Sequence, residues 1–272
     1  MAVTGLTLSV VTLCMIPSRD HSGLTERSVT AHTSTGDPAE LPVSEVNPPA
    51  AAVTVTTSIV GHSIEGRPIS CLEAGCGERV VLLMASIHGN ESAGTSLVER
   101  LIGEFAERPA LAAECRLVVI PVVNPDGVNA NTRYNASGVD LNRNFPADNR
   151  QNSRRYGAEA LSEPEALVVY RTIERVLPDQ IITLHEPLQC IDYDGPGHEL
   201  AQAMSRDSPL PVKKLGSRPG SLGAYAGETL QIPTITLELP SNAADQSQEL
   251  LWQFYGPALF AAVEYRTSDV ER

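Results

Sequence analysis

From about Val53 onward the hydrophobic pattern predicts strands that alternate with helices. Two continuous apolar runs, RVVLLMASI at 79–87 and CRLVVIPVV at 115–123, are typical of strands that are buried on both faces of a sheet. Between them, the apolar residues of ESAGTSLVERLIGEFAE at 91–107 recur at the spacing of an amphipathic helix. This order predicts a strand–helix–strand unit with parallel strands.

The same alternation continues on both sides of this unit. Upstream, 54–75 predicts two short strands around the turn SIEGRP. Ser162 and Glu165 have the spacing of a capping box at the start of a helix. The further predicted elements are a helix at 162–177, a strand at 180–187, a helix around 197–206, a strand at 234–240 and a helix at 247–266. We therefore expect one α/β domain with a mixed, mostly parallel central sheet and helices on both faces.

Residues before Val53 have a different pattern. Positions 1–16 are apolar, as in the hydrophobic region of a signal peptide, but no Lys or Arg precedes them. Positions 17–52 are rich in Ser, Thr and Pro and predict a disordered linker, so the folded domain is expected at 53–272. A signal segment implies export to the periplasm or beyond, whereas a wrongly assigned start codon would give the same pattern.

Composition narrows the classes of partner. The 272 residues are 42% hydrophobic and 19% charged, with a formal net charge of -13, which argues against a nucleic-acid or anionic-membrane surface. No membrane span is expected after Ile16, and the pattern does not predict an oligomeric state. Five cysteines without a CxxC pair predict buried thiols, with a Cys71–Cys76 disulfide left open.

Metal-ligand residue types fall where the predicted strands end. His88 and Glu91 follow the strand at 79–87, and His185 lies in the strand at 180–187. His88 and Glu91 alone are also compatible with the cap of the following helix. Because the carboxyl ends of parallel strands meet at one edge, His185 favours a metal site. Three His and carboxylate ligands that leave a fourth position for water are typical of Zn²⁺ in hydrolases, so we predict one zinc ion per chain.

Further polar residues of the same edge predict hydrolytic chemistry. Glu238, in the strand at 234–240, is placed to act as general base and acid for the attacking water. Arg133 is a candidate for stabilising the oxyanion that develops at the attacked carbonyl. As an isolated residue, Glu238 is equally compatible with a surface glutamate at a strand end, and an isolated Arg133 would favour a solvated surface charge.

The loop around GVDLNRN supplies the remaining candidates. Asp140 suits a role behind His88, because a ligating histidine usually donates its second ring N–H to a carboxylate. Asn142 and Arg143 offer an amide and a planar set of donors that can hold a substrate carboxylate.

Taken in order, these motifs resemble the zinc carboxypeptidases of the carboxypeptidase A type. The resemblance rests on HGNE at 88–91, NPDG at 124–127, R-x-N at 133–135, GVDLNRNFP at 138–146, the strand-end histidine and TLEL at 236–239. It implies the same ligands, general base, oxyanion donor and carboxylate-binding pair as the candidates above. It also implies a mobile tyrosine over the site, for which Tyr225 is the best match, although a core tyrosine fits equally.

Within that family the chain looks most like the bacterial murein peptide amidases, on HEPLQCIDYDGPG at 185–197 and LPVKKLGSRPGSLG at 210–223. This implies a short muropeptide substrate, cleavage between γ-D-glutamate and meso-diaminopimelate, and a cytoplasmic location. The substrate carboxylates would meet Arg143 and a second cation such as Arg218. Asp192 and Asp194 either meet the free amino group of diaminopimelate or are structural acids of a turn.

Two other functions compete with this one. A zinc deacylase of the aspartoacylase and succinylglutamate desuccinylase type shares such a metal site, but the complete NPDG to NRNFP region favours a peptidase. A non-catalytic module that binds wall peptides would be expected to lack a ligand or Glu238, and both are in place.

Overall fold

The computed structural model describes residues 53–266, and the predictions for 1–16 and 17–52 lie outside these described residues. Within this range seven strands form one sheet in the order β1-β2-β4-β3-β5-β7-β6. The strands are β1 Thr56–His62, β2 Pro68–Ala74, β3 Arg79–Met84, β4 Cys115–Ile120, β5 Gln180–His185, β6 Leu188–Asp194 and β7 Thr234–Pro240.

The four central strands, β4-β3-β5-β7, run parallel to one another, whereas β1, β2 and β6 pair antiparallel at the two edges. The helices are α1 Gly94–Ala106, α2 Pro109–Glu114, α3 Pro125–Ala130, α4 Pro164–Val176, α5 His198–Arg206 and α6 Gln248–Glu264. A π-helix, Gly223–Thr229, lies between α5 and β7 in the chain. The predicted mixed α/β sheet is confirmed.

Helices cover both faces of the sheet because the central strands are apolar on both sides. In β3, Val81 and Leu83 pack with α1, α5 and α6, while Leu82 and Met84 pack with α4 and the π-helix on the opposite face. Successive side chains of a strand point to opposite faces, so one continuous apolar run supplies two cores. The described residues include no helix whose length and apolarity would let it cross a membrane.

Strand β6 and the start of α4 differ from the predictions. The sequence predicts no strand around Asp192 and Asp194 and leaves open whether they are structural acids of a turn, whereas both lie in an antiparallel edge strand next to β7. The predicted capping box is also wrong: α4 begins at Pro164 without a side-chain cap. Ser162 instead donates to Glu163, while the Glu165 carboxylate accepts from the Ile64 N–H.

Three of the four cysteines within residues 53–266 behave as small core side chains, whereas Cys76 is exposed. Cys71 in β2 is a buried thiol, and Cys115 and Cys190 are buried as well. Burial raises the pKa of the Cys71 and Cys115 thiols to about 11, which keeps them protonated at neutral pH. The structure has no disulfide between Cys71 and Cys76, and Cys71 packs in the core.

Candidate metal centre and substrate pocket

The candidate site lies at the carboxyl ends of β3, β5 and β7. His88 and Glu91 occupy the loop between β3 and α1, His185 is the last residue of β5, and Glu238 lies opposite His185 in the parallel register of β5 and β7. Neighbouring positions of adjacent strands face the same side of a sheet. The register therefore brings His185 and Glu238 together although they are far apart in sequence.

Gly89 gives the loop after β3 its tight path. A Cβ atom on Gly89 would lie 1.9 Å from the carbonyl carbon of Gly127, in the first turns of α3. The NPDG motif forms this helix, with Asn124 capping it by accepting from the Gly127 N–H. Close packing of the HGNE loop against α3 places His88 and Glu91 at the rim of the sheet.

Three ligand-type atoms converge there. The His88 Nδ1 and Glu91 Oε2 atoms are 2.9 Å apart, His185 Nδ1 and Glu91 Oε2 are 2.8 Å apart, and the two Nδ1 atoms are 3.1 Å apart. All three side chains are buried. Nitrogen and oxygen ligands lie roughly 2.0–2.2 Å from zinc, so the ligands of one ion are about 3 Å from one another. The spacing of these atoms fits a single metal ion.

The electrostatics of the cluster also fit a cation. Burial alone would lower the pKa of His88 and raise the pKa of Glu91, but the hydrogen bonds among His88, Glu91, His185 and Asp140 reverse both directions. The pKa of His88 is therefore raised and the pKa of Glu91 is lowered. Two imidazole nitrogens that face each other beside a carboxylate need a positive charge between them, which a metal ion supplies.

Asp140 and Arg133 form the wall behind the cluster. Asp140 Oδ1 lies 3.0 Å from His88 Nε2, so with Nδ1 on the metal side, the Nε2–H donates to this carboxylate. Arg133 donates from Nε to Asp140 Oδ2 at 3.0 Å and from Nη1 to Glu91 Oε1 at 2.9 Å. The pKa of Asp140 is held well below its usual range because the His88 hydrogen bond and the nearby arginines outweigh its burial. These bonds fix the orientation of both His88 and Arg133.

Glu238 stands beside the ligands without joining them. Only 9% of the residue is exposed, and its Oε2 accepts from the Leu188 N–H at 3.3 Å. Burial raises the pKa of Glu238, and the charge of His185 opposes that shift. Glu238 is thus a largely buried carboxylate next to the three candidate metal ligands, a position compatible with the predicted role of general base.

Asn142 and Arg143 lie in a short 3₁₀ helix, Leu141–Arg143, that Asp140 caps. The Asn142 side-chain oxygen accepts from the Leu222 N–H at 2.8 Å, and an Arg143 Nη1–H donates to the Asn142 carbonyl. Burial lowers the pKa of Arg143, as does the positive charge of Arg133 and Arg218. Arg143 therefore carries a partly desolvated charge that an anionic ligand would stabilise.

One cavity of about 310 Å³ joins these residues. It is lined by His88, Glu91, Arg133, Asn142, Arg143, His185, Glu186, Pro187, Leu188, Asp192, Asp194, Leu215, Gly216, Ser217, Arg218, Ser221, Gly223, Thr236 and Glu238. A larger groove of about 900 Å³ lies between α1, α5 and α6, but its lining contains none of the predicted site residues.

Comparison with known proteins agrees with this geometry. The zinc carboxypeptidase family matches residues 51–207. Murein peptide amidase A of Escherichia coli K12 is 33% identical over 213 residues, which cover 71% of this chain and 85% of that protein. The chain belongs to the zinc carboxypeptidase family. It is therefore a hydrolase of a family that implies zinc.

Solved structures show the same fold. The crystal structure of the murein-tripeptide amidase MpaA from Escherichia coli O157 matches with a TM-score of 0.62 and 28% identity, over 77% of this chain and 92% of that one. Bovine thrombin-activatable fibrinolysis inhibitor, in complex with tick carboxypeptidase inhibitor, matches with a TM-score of 0.66 and 20% identity, over 77% and 88% of the two chains. At that identity the second likeness concerns the fold alone.

Tyr225 departs from the expectation of a mobile tyrosine over the site. It lies in the π-helix, is 7% exposed, and stacks on Phe145 and Tyr170 with ring centroids 6.3 and 5.8 Å away. Burial raises its pKa to about 12, and it does not line the cavity. Tyr225 is a core residue, because the π-helix directs its ring onto the apolar face of α4.

Sequence analysis missed Glu186 and could not place Asp194. Glu186 follows His185, lines the cavity, and accepts from the Ala93 N–H at 3.1 Å. Its position directly after a strand-end histidine was a usable signal. Asp194 is buried on β6 and lines the same cavity, which only the pairing of β6 with β7 reveals.

Proposed function

We propose that the protein hydrolyses the amide bond between γ-D-glutamate and meso-diaminopimelate in short murein peptides. The observation that carries this proposal is the shared cavity, where a three-ligand metal cluster, Glu238 and the partly buried Arg143 meet. A buried cation beside a hydrolytic centre favours a substrate with a carboxylate next to the scissile bond. The relatives named murein peptide amidase and murein-tripeptide amidase support the substrate class.

His88, Glu91 and His185 would hold the zinc ion through Nδ1, Oε2 and Nδ1. When bound, zinc supplies a Lewis acid and lowers the pKa of a water molecule from 15.7 toward roughly 7. The bond from His88 to Asp140 keeps the Nδ1 lone pair directed at the metal position.

Glu238 accepts a proton from the attacking water and later delivers it to the departing nitrogen. Its burial keeps it out of bulk solvent, and its single backbone hydrogen bond leaves the carboxylate with accepting capacity on the cavity side. A positioned acid–base group of this kind contributes about 10²–10⁴-fold to a rate.

Three arginines, Arg133, Arg143 and Arg218, each stabilise a different negative charge of the substrate or the transition state. Arg133, held by Asp140 and Glu91, lies next to the metal ligands and stabilises the oxyanion that forms on the attacked carbonyl oxygen. Arg143 and Asn142 bind the carboxylate adjacent to the scissile bond. Arg218, which also lines the cavity, is a second cation for the further carboxylate of diaminopimelate.

The test is to incubate the purified zinc-loaded protein with L-Ala-γ-D-Glu-meso-diaminopimelate and to follow free diaminopimelate by mass spectrometry. We expect release of diaminopimelate by the wild type, and a loss of about 10²–10⁴-fold in kcat for Glu238→Gln with an unchanged zinc content. His185→Ala should instead lose the zinc, as elemental analysis would show. Near wild-type turnover by Glu238→Gln would contradict the assignment.

A parallel incubation with N-acetyl-aspartate tests the deacylase alternative. The comparisons do not favour that activity, and we expect no release of acetate. Faster turnover of the N-acyl amino acid than of the tripeptide would replace the proposed substrate while leaving the metal chemistry in place.

A further inference from the structure

The stretch 133–144, the arginine loop, is fastened near both ends by buried asparagines. Asn135 is 3% exposed and Asn144 is 0% exposed, and neither lines the cavity that contains the metal cluster. The side-chain hydrogen bonds that leave the loop from these two amides run to one segment, 156–165, which leads into α4. The proposed function gives neither asparagine a role.

Asn135 uses both halves of its amide. Its Oδ1 accepts from the Ser137 and Val139 N–H groups at 3.1 and 3.0 Å, which closes a short turn. Its Nδ2 donates to Glu163 at 2.7 Å and to Glu165 at 3.2 Å, and both of these carboxyl groups are buried. Hydrogen bonds to ionised groups are roughly twice as strong as bonds between neutral groups. Asn135 therefore sets where this turn lies relative to the start of α4.

Asn144 fastens the other end of the arginine loop to the same segment. Its Nδ2 donates to the carbonyl oxygens of Tyr156 and Glu159 at 2.9 and 3.0 Å, and its Oδ1 accepts from the Glu163 N–H at 3.1 Å. A Cβ atom on Gly157 would lie only 2.2 Å from the Asn144 Nδ2, so any side chain there would displace the amide. The segment 156–165 is thus shaped around the side chain of Asn144.

Each asparagine stands beside an arginine that the proposed function uses. Asn135 follows Arg133 by two residues, and Asn144 directly follows Arg143. The arginine loop contains no strand, and its one helical turn is the 3₁₀ helix Leu141–Arg143, so its conformation depends on bonds such as those of the two amides. A misplacement of about 1 Å can cost roughly 10²-fold in rate. The backbone positions of both arginines therefore follow from how the asparagines are held.

We propose that Asn135 and Asn144 are positioning residues that act through their bonds to the segment 156–165. Asn135 fixes Arg133 for the developing oxyanion, and Asn144 fixes Arg143 for the substrate carboxylate. This inference rests on the proposed function, because that function assigns the two negative charges to the two arginines. Loss of Asn135 should lower kcat, because the oxyanion forms only in the transition state. Loss of Asn144 should raise KM, because the carboxylate is bound equally in the ground state.

Steady-state kinetics with L-Ala-γ-D-Glu-meso-diaminopimelate at saturating zinc measure this split. For Asn135→Ala we expect kcat to fall about 10- to 100-fold with KM within about 3-fold of wild type. For Asn144→Ala we expect KM to rise about 10- to 100-fold with kcat within about 3-fold.

Gln180→Ala is the matched control for a lost buried hydrogen bond. Gln180 is buried at the opposite end of β5 from His185 and donates to the Ala262 carbonyl, so its loss should cost folding stability and leave kcat and KM unchanged. Glu165→Gln and Gly157→Ala perturb the partners of the two amides. They should lower kcat and raise KM, respectively, even if the alanine variants of the asparagines do not fold. Equal changes of both constants in all variants, or no change, would overturn the proposal.

Nitrogen-15 NMR of the arginine side chains separates this inference from the proposed reaction, because it needs no substrate. Arg133 donates from Nε to Asp140, and Arg143 donates to a backbone carbonyl, so their N–H signals, assigned with Arg133→Lys and Arg143→Lys, report how firmly each guanidinium is held. In the zinc-loaded protein, Asn135→Ala should speed exchange with water about 10-fold at Arg133 alone, and Asn144→Ala at Arg143 alone.

The two measurements fail in different ways. A wild type that does not cleave the tripeptide would sink the proposed function, while the exchange rates would still decide whether each asparagine holds its arginine. Exchange at Arg133 and Arg143 that is unchanged in both variants, or equally faster in both, would overturn the positioning roles of Asn135 and Asn144.

Discussion

The contacts of Asp140 predict a specific effect of Asp140→Asn on zinc affinity. Asp140 Oδ1 takes bonds from His88 Nε2 and from the Asn142 N–H, at 3.0 and 3.1 Å, while Oδ2 takes the Arg133 bond at 3.0 Å. An asparagine has one acceptor oxygen. If that oxygen keeps the two bonds at the Oδ1 position, the amide NH₂ faces the Arg133 N–H, and the negative charge behind His88 is lost.

The size of the effect follows from these bonds. A hydrogen bond to a charged group contributes about 1.5–3 kcal/mol, and one such bond is lost at Arg133 while the one at His88 is weakened. Changes to groups behind a metal ligand cost roughly 10–100-fold in metal affinity or activity, which is about 1.4–2.7 kcal/mol. We therefore expect Asp140→Asn to raise the zinc Kd by about 10–100-fold, with a further loss of kcat at saturating zinc because Arg133 is no longer held.

Competition with a chelator of known zinc affinity measures the Kd, and Asp126→Asn is the matched control. Asp126 is as buried as Asp140 and also binds an arginine, with bonds from Ser63 and Arg67 at 2.7 and 2.6 Å, but it lies outside the cavity lining. The control should lose folding stability and keep its zinc affinity. A zinc Kd within twofold of wild type for Asp140→Asn, or an equal weakening in both variants, would refute the reasoning.

Three further predictions test the local structure. Gly89→Ala should lower the free energy of unfolding in urea by about 1–3 kcal/mol, because the added Cβ meets the Gly127 backbone. Gly103→Ala, on an open helix surface, should raise that free energy by about 0.5–1 kcal/mol. A similar change in both variants would contradict the packing argument. The pKa of Asp194 is raised to about 7 from 3.8, so in metal-free protein the wild type loses stability as the pH rises from about 4 to 7. Calorimetry should find that the thermal stability of Asp194→Asn relative to wild type increases as the pH rises from 4 to 8. A difference that does not change with pH would contradict this. Tyr225→Phe should keep kcat/KM within about threefold, since burial and not substrate contact explains Tyr225; a hundredfold loss would restore a catalytic role.

The central sheet was predictable because its signals are local. The apolar runs of β3 and β4 can only be strands buried on both faces, and the helical spacing between them makes their parallel pairing a direct consequence. Once the strands are assigned, the rule that parallel strands end at one edge places His88, Glu91 and His185 together without knowledge of any contact. The distances confirm that these three side chains converge.

The features that sequence could not give depend on contacts between distant segments. Strand β6 is an edge strand with polar residues and little periodicity, and only its pairing with β7 defines it. Tyr225 was matched by its position in the chain, whereas its surroundings are set by the π-helix and by stacking on Tyr170. Hydrophobic pattern predicts which face a regular element buries, but it does not predict the direction of a side chain from an irregular turn.

The strand order of the sheet has a consequence for the biosynthesis of the enzyme. Within residues 53–266, β7 is the last strand in sequence, yet it lies between β5 and β6 and carries Glu238. A growing chain that has reached β6 already contains the proposed ligands His88, Glu91 and His185, but it lacks the proposed general base until β7 is inserted beside β5. A chain truncated before β7 would therefore keep the three proposed metal ligands and lose the proposed general base.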